Sequence, residues 1–298
     1  MKQLLFQSFC ASALIMTAAA PALAASEIPD FTGVWGRNAF ELEPVPSQYH
    51  PMGNLIHEPN STTGDYERPA GDYNNPILKP AARDIVHQRS DAAVNGDIIA
   101  DPSNQCAPYQ PPFVFGMQLG VEMFQKPDEI TFVYNQDHQV RHVHLAVAHP
   151  AHVTPSWMGD SIAHYEGDEL VIDTIGVKPG RIDVMDRFGT PFSEGLHVVE
   201  RYRLIGADEA KKAQDSFEKV SGRVGGPGGA MPIDPKYPKG LQLRLTIEDP
   251  TYLKAPLEAQ VTYRHAAGAL QETVCAENAY EYYHGKATEI PTAAHPDF

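Results

Sequence analysis

The most constraining feature of this sequence is a series of short alternating runs that begins near residue 120. Apolar and polar residues alternate in EITFVYNQ, VRHVHLAV, LHVVERYRLI, LQLRLTIED and LEAQVTYRH, and turn residues separate nearly all of these runs. A period of two residues is typical of strands with one buried face. Because no helical pattern is evident between the runs, we expect a mainly β fold, an antiparallel meander closed into a barrel.

The alternation also assigns side chains to the two faces of the sheet. A two-residue turn at Gly167 and Asp168 predicts a hairpin with a defined register. Its expected pairs on one face are Tyr165 with Leu170, Ala163 with Ile172, and Ser161 with Thr174. The inward positions of the later strands are apolar or aromatic, with a few polar exceptions, and include Leu196, Val198, Glu200, Tyr202, Leu204, Leu241, Leu243, Leu245, Ile247, Leu257, Ala259, Val261, Tyr263 and His265. Such a surface suits a ligand cavity as well as a core.

The first half of the chain is less regular. Residues 41–113 are rich in Pro, Asn, Asp and Gly over much of their length and predict an irregular segment that wraps the barrel. One helix is expected near 80–94, because Pro80 suits a first helical position and Gly96 a helix stop. Residues 221–240 predict a mobile Gly- and Pro-rich loop. We therefore expect a single β-barrel domain over residues 25–298.

The first 24 residues are typical of a cleaved signal peptide. A lysine precedes an apolar run, and Ala22-Leu23-Ala24 forms a small-residue cleavage site. This predicts a periplasmic or secreted protein, with a membrane anchor as the alternative. In such a compartment Cys106 and Cys275, the two cysteines of the mature chain, predict one disulfide, the alternative being two buried thiols. The pair would join the start of the folded region to its end, as in a closed barrel.

The charge and the motifs exclude several classes of protein. A formal net charge of −15 argues against nucleic acid and anionic membranes as partners. No dinucleotide fingerprint, phosphate loop, H-E-x-x-H zinc motif or G-x-S-x-G elbow is present. We expect a small-molecule ligand or substrate, no cofactor and no membrane insertion. The sequence does not predict an oligomeric state.

Several phrases resemble a known family. They are FTGVW (31–35), Cys106 followed by Pro108, His149-Pro150, TPSWMGDSIAHYEGDELVIDT (154–174), LHVVERYR (196–203) and CAEN (275–278). Together they are similar to a family of secreted, largely uncharacterised bacterial proteins, and the match covers most of residues 30–280. The G-x-W in the first phrase also resembles the start of lipocalin-like barrels. The resemblance implies export and a lipocalin-like β fold, but no particular activity.

Four histidines stand close together in RHVHLAVAHPAH, residues 141–152. His142 and His144 project from one face of a strand at a spacing that suits zinc or copper. No third ligand is marked, so we expect both to face solvent and predict no bound metal; a structural metal site is the alternative. His149 belongs to the family phrase and His142, His144 and His152 do not, so the four are interpreted as separate groups.

The candidate catalytic residues are His149, His197, Glu200 and Asp186. Histidine is the natural proton carrier near neutral pH, and His149 and His197 are expected to reach the same barrel mouth. Glu200 is an acid on an apolar face, where burial would raise its pKa; the alternative is an ion pair with an arginine such as Arg187. Asp186 joins them from the segment that leads to His197.

The candidate ligand-binding residues are mainly aromatic. They are Trp157, Ser161, Tyr165, Tyr202, Tyr263 and His265. Trp157 lies in a loop, where it would either cover a cavity or plug one end. The sequence thus favours cofactor-free acid–base chemistry, of isomerase, lyase or hydratase type, on a small, partly apolar or aromatic molecule. The alternative is a non-enzymatic, lipocalin-like binding protein.

Overall fold

The computed structural model of the chain describes residues 28–56, 69–97, 99–180, 182–225 and 229–275. The strands are β1 Gly33–Gly36, β2 Glu43–Pro44, β3 Gly120–Gln125, β4 Glu129–Tyr134, β5 Val140–Leu145, β6 Asp160–Glu166, β7 Glu169–Ile175, β8 His197–Gly206, β9 Lys239–Glu248 and β10 Leu257–His265. The helices are α1 Pro80–Val94, α2 Phe113–Met117 and α3 Ala207–Ser221. The predicted signal peptide and residues 276–278 of the CAEN phrase lie outside the described residues.

Nine of these strands form a closed barrel. The sheet order is β1-β3-β4-β5-β6-β7-β8-β9-β10, and β1 closes the ring by pairing with β10, where Trp35 faces His265. β2 adds an extra strand to β10. Trp35 is fully buried, and its indole Nε1 donates to the carbonyl of Phe31 at 2.9 Å. The predicted mainly β, lipocalin-like barrel is confirmed.

The barrel departs from the predicted meander at one place. β5 and β6 are parallel, with His144 beside Ile162, whereas the other strand pairs are antiparallel. The expectation of antiparallel pairing throughout is therefore wrong here. Residues 146–159 form a connection long enough to carry the chain back along the barrel before β6 begins, and Ala146, at φ 56°, starts the reversal. This connection carries His149.

The predicted hairpin register is confirmed, and most of the predicted inward positions are buried, although Leu204 and His265 are only half-buried. Tyr165 pairs with Leu170, and Ser161 pairs with Thr174 across the turn at Gly167, whose φ of 65° suits glycine. The inward residues of β9 are almost completely buried. Side chains from all around the barrel join one core that includes Trp35 and Phe132. The barrel interior is therefore packed with side chains.

The helices confirm one prediction and correct another. α1 begins at Pro80, as expected. The sequence pattern predicted only α1. The structure adds α3, which is equally long and packs against β9 and β10. Gln214 of α3 is buried and donates to the carbonyls of Gly36 and Thr262. Ala210, Gln214 and Phe217 lie at helical spacing along one side of α3. This stripe contains a polar residue and little large apolar surface, so it is a weak signal for a helix.

The predicted disulfide is also present. Cys106 and Cys275 are bonded, with their Cα atoms 5.5 Å apart and 169 residues apart in sequence. The bond ties the irregular segment before β3 to the chain that follows β10. Among the described residues, no helix is both long and apolar enough to cross a membrane.

Candidate functional site

A buried ion pair occupies the barrel interior. Arg141 of β5 and Glu200 of β8 are both fully buried, and they form a two-pronged contact: Nη1 donates to Oε2 at 2.9 Å and Nη2 to Oε1 at 2.6 Å. The guanidinium also lies 5.7 Å from the centroids of the Phe115 and Phe132 rings. A buried charge is tolerated only when it is paired and hydrogen-bonded, and this pair meets both conditions.

Hydroxyl groups complete the network around this pair. Ser161 Oγ accepts from Arg141 Nε at 3.1 Å, and Thr174 Oγ1 accepts from Nη2 at 2.7 Å. Tyr202 donates its phenol proton to Glu200 Oε2 at 2.9 Å. Burial raises the pKa of Tyr202 well above its ordinary value, and the charge of Glu200 adds to this effect. The phenol therefore stays protonated and acts as a permanent donor.

The structure pairs Glu200 with Arg141, where the sequence had suggested Arg187. Burial opposes the charge of Arg141, but the neighbouring Glu200 carboxylate raises the pKa of the guanidinium. The signal for this partner was in the sequence: Arg141 alternates with Val143 and Leu145, which are buried, so it shares their inward face. Both oxygens of Glu200 are occupied, which suits a structural role in the core.

A second cluster of titratable groups lies on the outer wall of the barrel. We call it the histidine–carboxylate array; its members are His149, Asp160, Asp173, His197 and Glu248. Asp160 begins β6, Asp173 lies in β7, His197 begins β8 and Glu248 ends β9. Side chains alternate between the two faces of a strand, and the neighbours of Asp173 in β7 are fully buried, so Asp173 faces outward. The connection after β5 places His149 beside it.

The array is a continuous chain of contacts. His149 Nδ1 lies 2.5 Å from Asp160 Oδ1, and its Nε2 lies 3.2 Å from Asp173 Oδ1. His197 Nε2 lies 3.0 Å from the same Asp173 oxygen, and its Nδ1 lies 3.0 Å from Glu248 Oε2. The structure thus brings together two of the predicted catalytic residues, His149 and His197, through a carboxylate that the sequence analysis did not single out.

The array has a definite proton requirement. A carboxylate only accepts, so each ring nitrogen that bonds to one must carry a proton. When all four contacts are hydrogen bonds, His149 and His197 are both imidazolium ions. Loss of a proton from Nε2 would leave a lone pair against Asp173 Oδ1. The array can therefore hold a proton on each Nε2 that faces Asp173.

The surroundings of His197 favour its charged form. Partial burial opposes the charge, but hydrogen bonds and charges from Glu248 and Asp173 together raise the pKa of His197 above its ordinary value of 6.5. The side chain of Asp173 is 40% exposed and that of His197 is 32% exposed, so a small molecule can approach from solvent. Partial exposure also weakens these interactions by solvent screening.

Glu200 and Asp186 lie outside this array. Glu200 is on the inner face of β8, whereas His197 is on the outer face, so the barrel wall separates them. Asp186 is half-buried in a turn, where its Oδ1 accepts from the backbone N–H groups of Phe188 and Thr190 at 2.9 and 3.1 Å. Burial raises the pKa of Asp186. Both carboxylates have structural partners and do not join the two histidines.

The predicted ligand-binding residues fall into different environments. Tyr202 and Tyr263 are buried in the packed interior, and Ser161 binds Arg141. Tyr165 is half-buried and accepts from Gln125 Nε2 at 2.9 Å. The ring of His265 stacks on Tyr237. Trp157 is 40% exposed at the loop before β6, so it does not plug the barrel; it lines a separate cavity together with Gln110 and Ile182.

The other histidines of residues 141–152 face solvent. His142 and His144 are exposed and alternate with buried residues of β5, as predicted, and His152 is exposed in the following connection. His142 Nδ1 lies 3.3 Å from Glu129 Oε1. Within the described part of the chain, no three His, Cys, Asp or Glu side chains are arranged to hold a metal ion. In the histidine–carboxylate array the side chains contact one another directly.

Comparison with protein-family profiles, with curated proteins and with solved structures finds no match for this chain.

Proposed function

We propose that this protein is an acid–base catalyst that acts on a small molecule at the outer wall of its barrel. The observation that supports the proposal is the convergence of His149 and His197 on one oxygen of Asp173. Two imidazoles held against a shared carboxylate provide one proton donor and one proton acceptor when a single proton is lost. General acid–base catalysis needs such a pair near neutral pH.

Each member of the array has a distinct role in this proposal. His149 and His197 exchange protons with the substrate at Nε2. Asp173 is their shared acceptor. Asp160 and Glu248 are positioning residues, because each fixes the Nδ1 proton and thereby the ring orientation of its histidine. In this proposal His197, with its raised pKa, delivers the proton, and the other imidazole accepts one.

The chemistry that fits these groups requires no cofactor. Isomerisation, elimination and hydration of a small, partly apolar molecule each need one proton removed and one delivered, which the two histidines supply. Export to the periplasm or the medium belongs to the same proposal, supported by the disulfide and by the signal-like first 24 residues. Membership of the secreted bacterial family whose phrases the sequence resembles is also part of this proposal.

The experiment measures catalysed exchange of carbon-bound hydrogen for deuterium. Wild-type protein is incubated in D2O with a panel of small carbonyl and carboxylate compounds, and exchange is followed by proton NMR. We expect exchange of one panel member to slow by about 10²–10⁴-fold in His149→Gln and His197→Gln, the usual size of an acid–base contribution. His144→Gln is the matched control, because its ring is exposed and lies outside the array; its rate should equal that of the wild type.

Two results would contradict the proposal. One is the absence of catalysed exchange for every compound with wild-type protein. The other is equal loss of exchange in His144→Gln and in the two array variants. Circular dichroism melting curves of all three variants accompany the rates, since loss of rate together with loss of fold would assign the array a structural role.

The alternative function, non-enzymatic binding inside a lipocalin-like barrel, has less support from the structure. Its predicted contacts, Tyr202 and Tyr263, are buried among packed side chains. A different cavity, at one end of the barrel, could hold a small molecule, but none of the predicted ligand-binding residues lines it.

A further inference from the structure

A cavity of about 380 Å³ opens at one end of the barrel, apart from the histidine–carboxylate array. β1 ends there, β3 begins and β4 ends there, and the Cys106–Cys275 disulfide ties the covering segment in place. Cavities of about 300–1,000 Å³ are the usual size for small-molecule sites. No member of the array lines this cavity.

One side chain in the cavity wall has an unused donor. Gln118 is 1% exposed, and its Nε2 has no hydrogen-bond partner within the described residues. Its Oε1 accepts from the backbone N–H of Gln136 at 2.9 Å, which fixes the orientation of the amide. Rotating the amide would set its NH2 group against that N–H, so the donor has to point elsewhere. A buried donor without a partner is destabilising, and an acceptor supplied by a ligand would satisfy it.

The other lining residues define what kind of ligand fits. Phe40, Met117, Leu119 and Val224 supply apolar surface. Arg187, buried and 3.6 Å from Glu41 Oε1, adds a guanidinium to the wall. Asp101 is also in the wall, and its Oδ1 accepts from the backbone N–H and hydroxyl of Ser103 and from the backbone N–H of Asn104.

We propose that this end cavity binds a small molecule with an apolar body and a carboxylate or carbonyl oxygen, the oxygen accepting from Gln118 Nε2. The apolar body lies against the hydrophobic part of the wall. This site is independent of the proposed acid–base function.

Isothermal titration calorimetry with three compounds of one shape tests the chemistry. Benzoate and benzamide carry the acceptor oxygen, whereas benzylamine, protonated at neutral pH, offers only donors. We expect benzoate and benzamide to bind, and benzylamine to bind at least about tenfold more weakly, which corresponds to one hydrogen bond. Equal binding of all three compounds, or binding of none, would overturn the proposal.

A cavity-filling variant tests the location. Val224→Phe places a larger side chain in the cavity from a partly exposed position, and it leaves the polar wall untouched. Val94→Phe is the matched control, because Val94 is 51% exposed at the end of α1 and lies outside the cavity. We expect benzoate binding to be lost in Val224→Phe and unchanged in Val94→Phe. Binding that survives in both variants would place the compound elsewhere and refute the assignment.

Labelling of the glutamine side chains tests the contact itself. The side-chain NH2 resonance of Gln118, assigned by its absence in Gln118→Glu, should shift when benzoate is added to wild-type protein. A resonance that stays unchanged while benzoate binds would show that the cavity takes the ligand without this donor, and the proposed recognition would fail. Deuterium exchange by the histidine–carboxylate array is unaffected by either result, so the two proposals fail separately.

Discussion

Replacing Glu200 by Gln should destabilise the protein strongly. The substitution keeps the size and shape of the side chain but removes the charge that faces the fully buried Arg141. The amide nitrogen would also face a donor, either a guanidinium N–H or the hydroxyl of Tyr202. Breaking a buried ion pair from one side typically costs about 3–5 kcal/mol, because the remaining charge is left uncompensated.

The measurement is the free energy of unfolding from urea titration at neutral pH, with melting temperature as a second readout. A loss of about 3–5 kcal/mol corresponds to a fall of about 6–20 °C for a domain of this size. Glu258→Gln is the matched control, since Glu258 lies on β10 with its side chain exposed; it should change stability by less than about 0.5 kcal/mol.

A double variant separates the pair from the rest of the core. Arg141→Met combined with Glu200→Leu removes both charges, and such replacements are often neutral or stabilising. We expect the double variant to be more stable than Glu200→Gln alone. A Glu200→Gln protein within about 1 kcal/mol of the wild type would refute the reasoning. If that stable variant also lost activity, Glu200 would return as a catalytic candidate.

Three further changes test other parts of the structure. Replacing Cys106 and Cys275 by Ser should cost about 2–5 kcal/mol in urea unfolding, because the unfolded chain loses a long-range cross-link; unchanged stability would show that the bond contributes little. The raised pKa of His197 gives stability that is complete below pH 6.5 and is lost as pH rises through the folded-state pKa, so Asp173→Asn should flatten this dependence in urea titrations at several pH values; an unaltered profile would contradict the array. Gly189→Ala should lower stability by about 1–3 kcal/mol in the same assay, because φ is +84° and the added carbon would overlap a neighbouring guanidinium; a neutral effect would contradict the described turn.

Much of the barrel was determined by the sequence itself. Alternation of apolar and polar residues has a period of two only in strands, so the runs after residue 120 specified both the strands and their buried faces. The glycine at 167 fixed the hairpin register, because a two-residue turn leaves one way to pair the strands that flank it. The expectation of export, together with the cysteine pair Cys106 and Cys275, predicted the disulfide. These are local or compositional signals.

Tertiary structure decided the pairing of charges and the arrangement of the site. Alternation shows that Arg141 and Glu200 face inward, but closure of the barrel is what brings β5 and β8 across from each other. Likewise, Asp173 had no distinguishing context in sequence. It became the centre of the histidine–carboxylate array because the parallel connection after β5 returns His149 to the wall beside β7, while β8 presents His197 from the other side. Contacts between residues far apart in sequence depend on how the strands close into a barrel. The alternation within one strand shows which face is buried, but not which distant strand lies opposite that face.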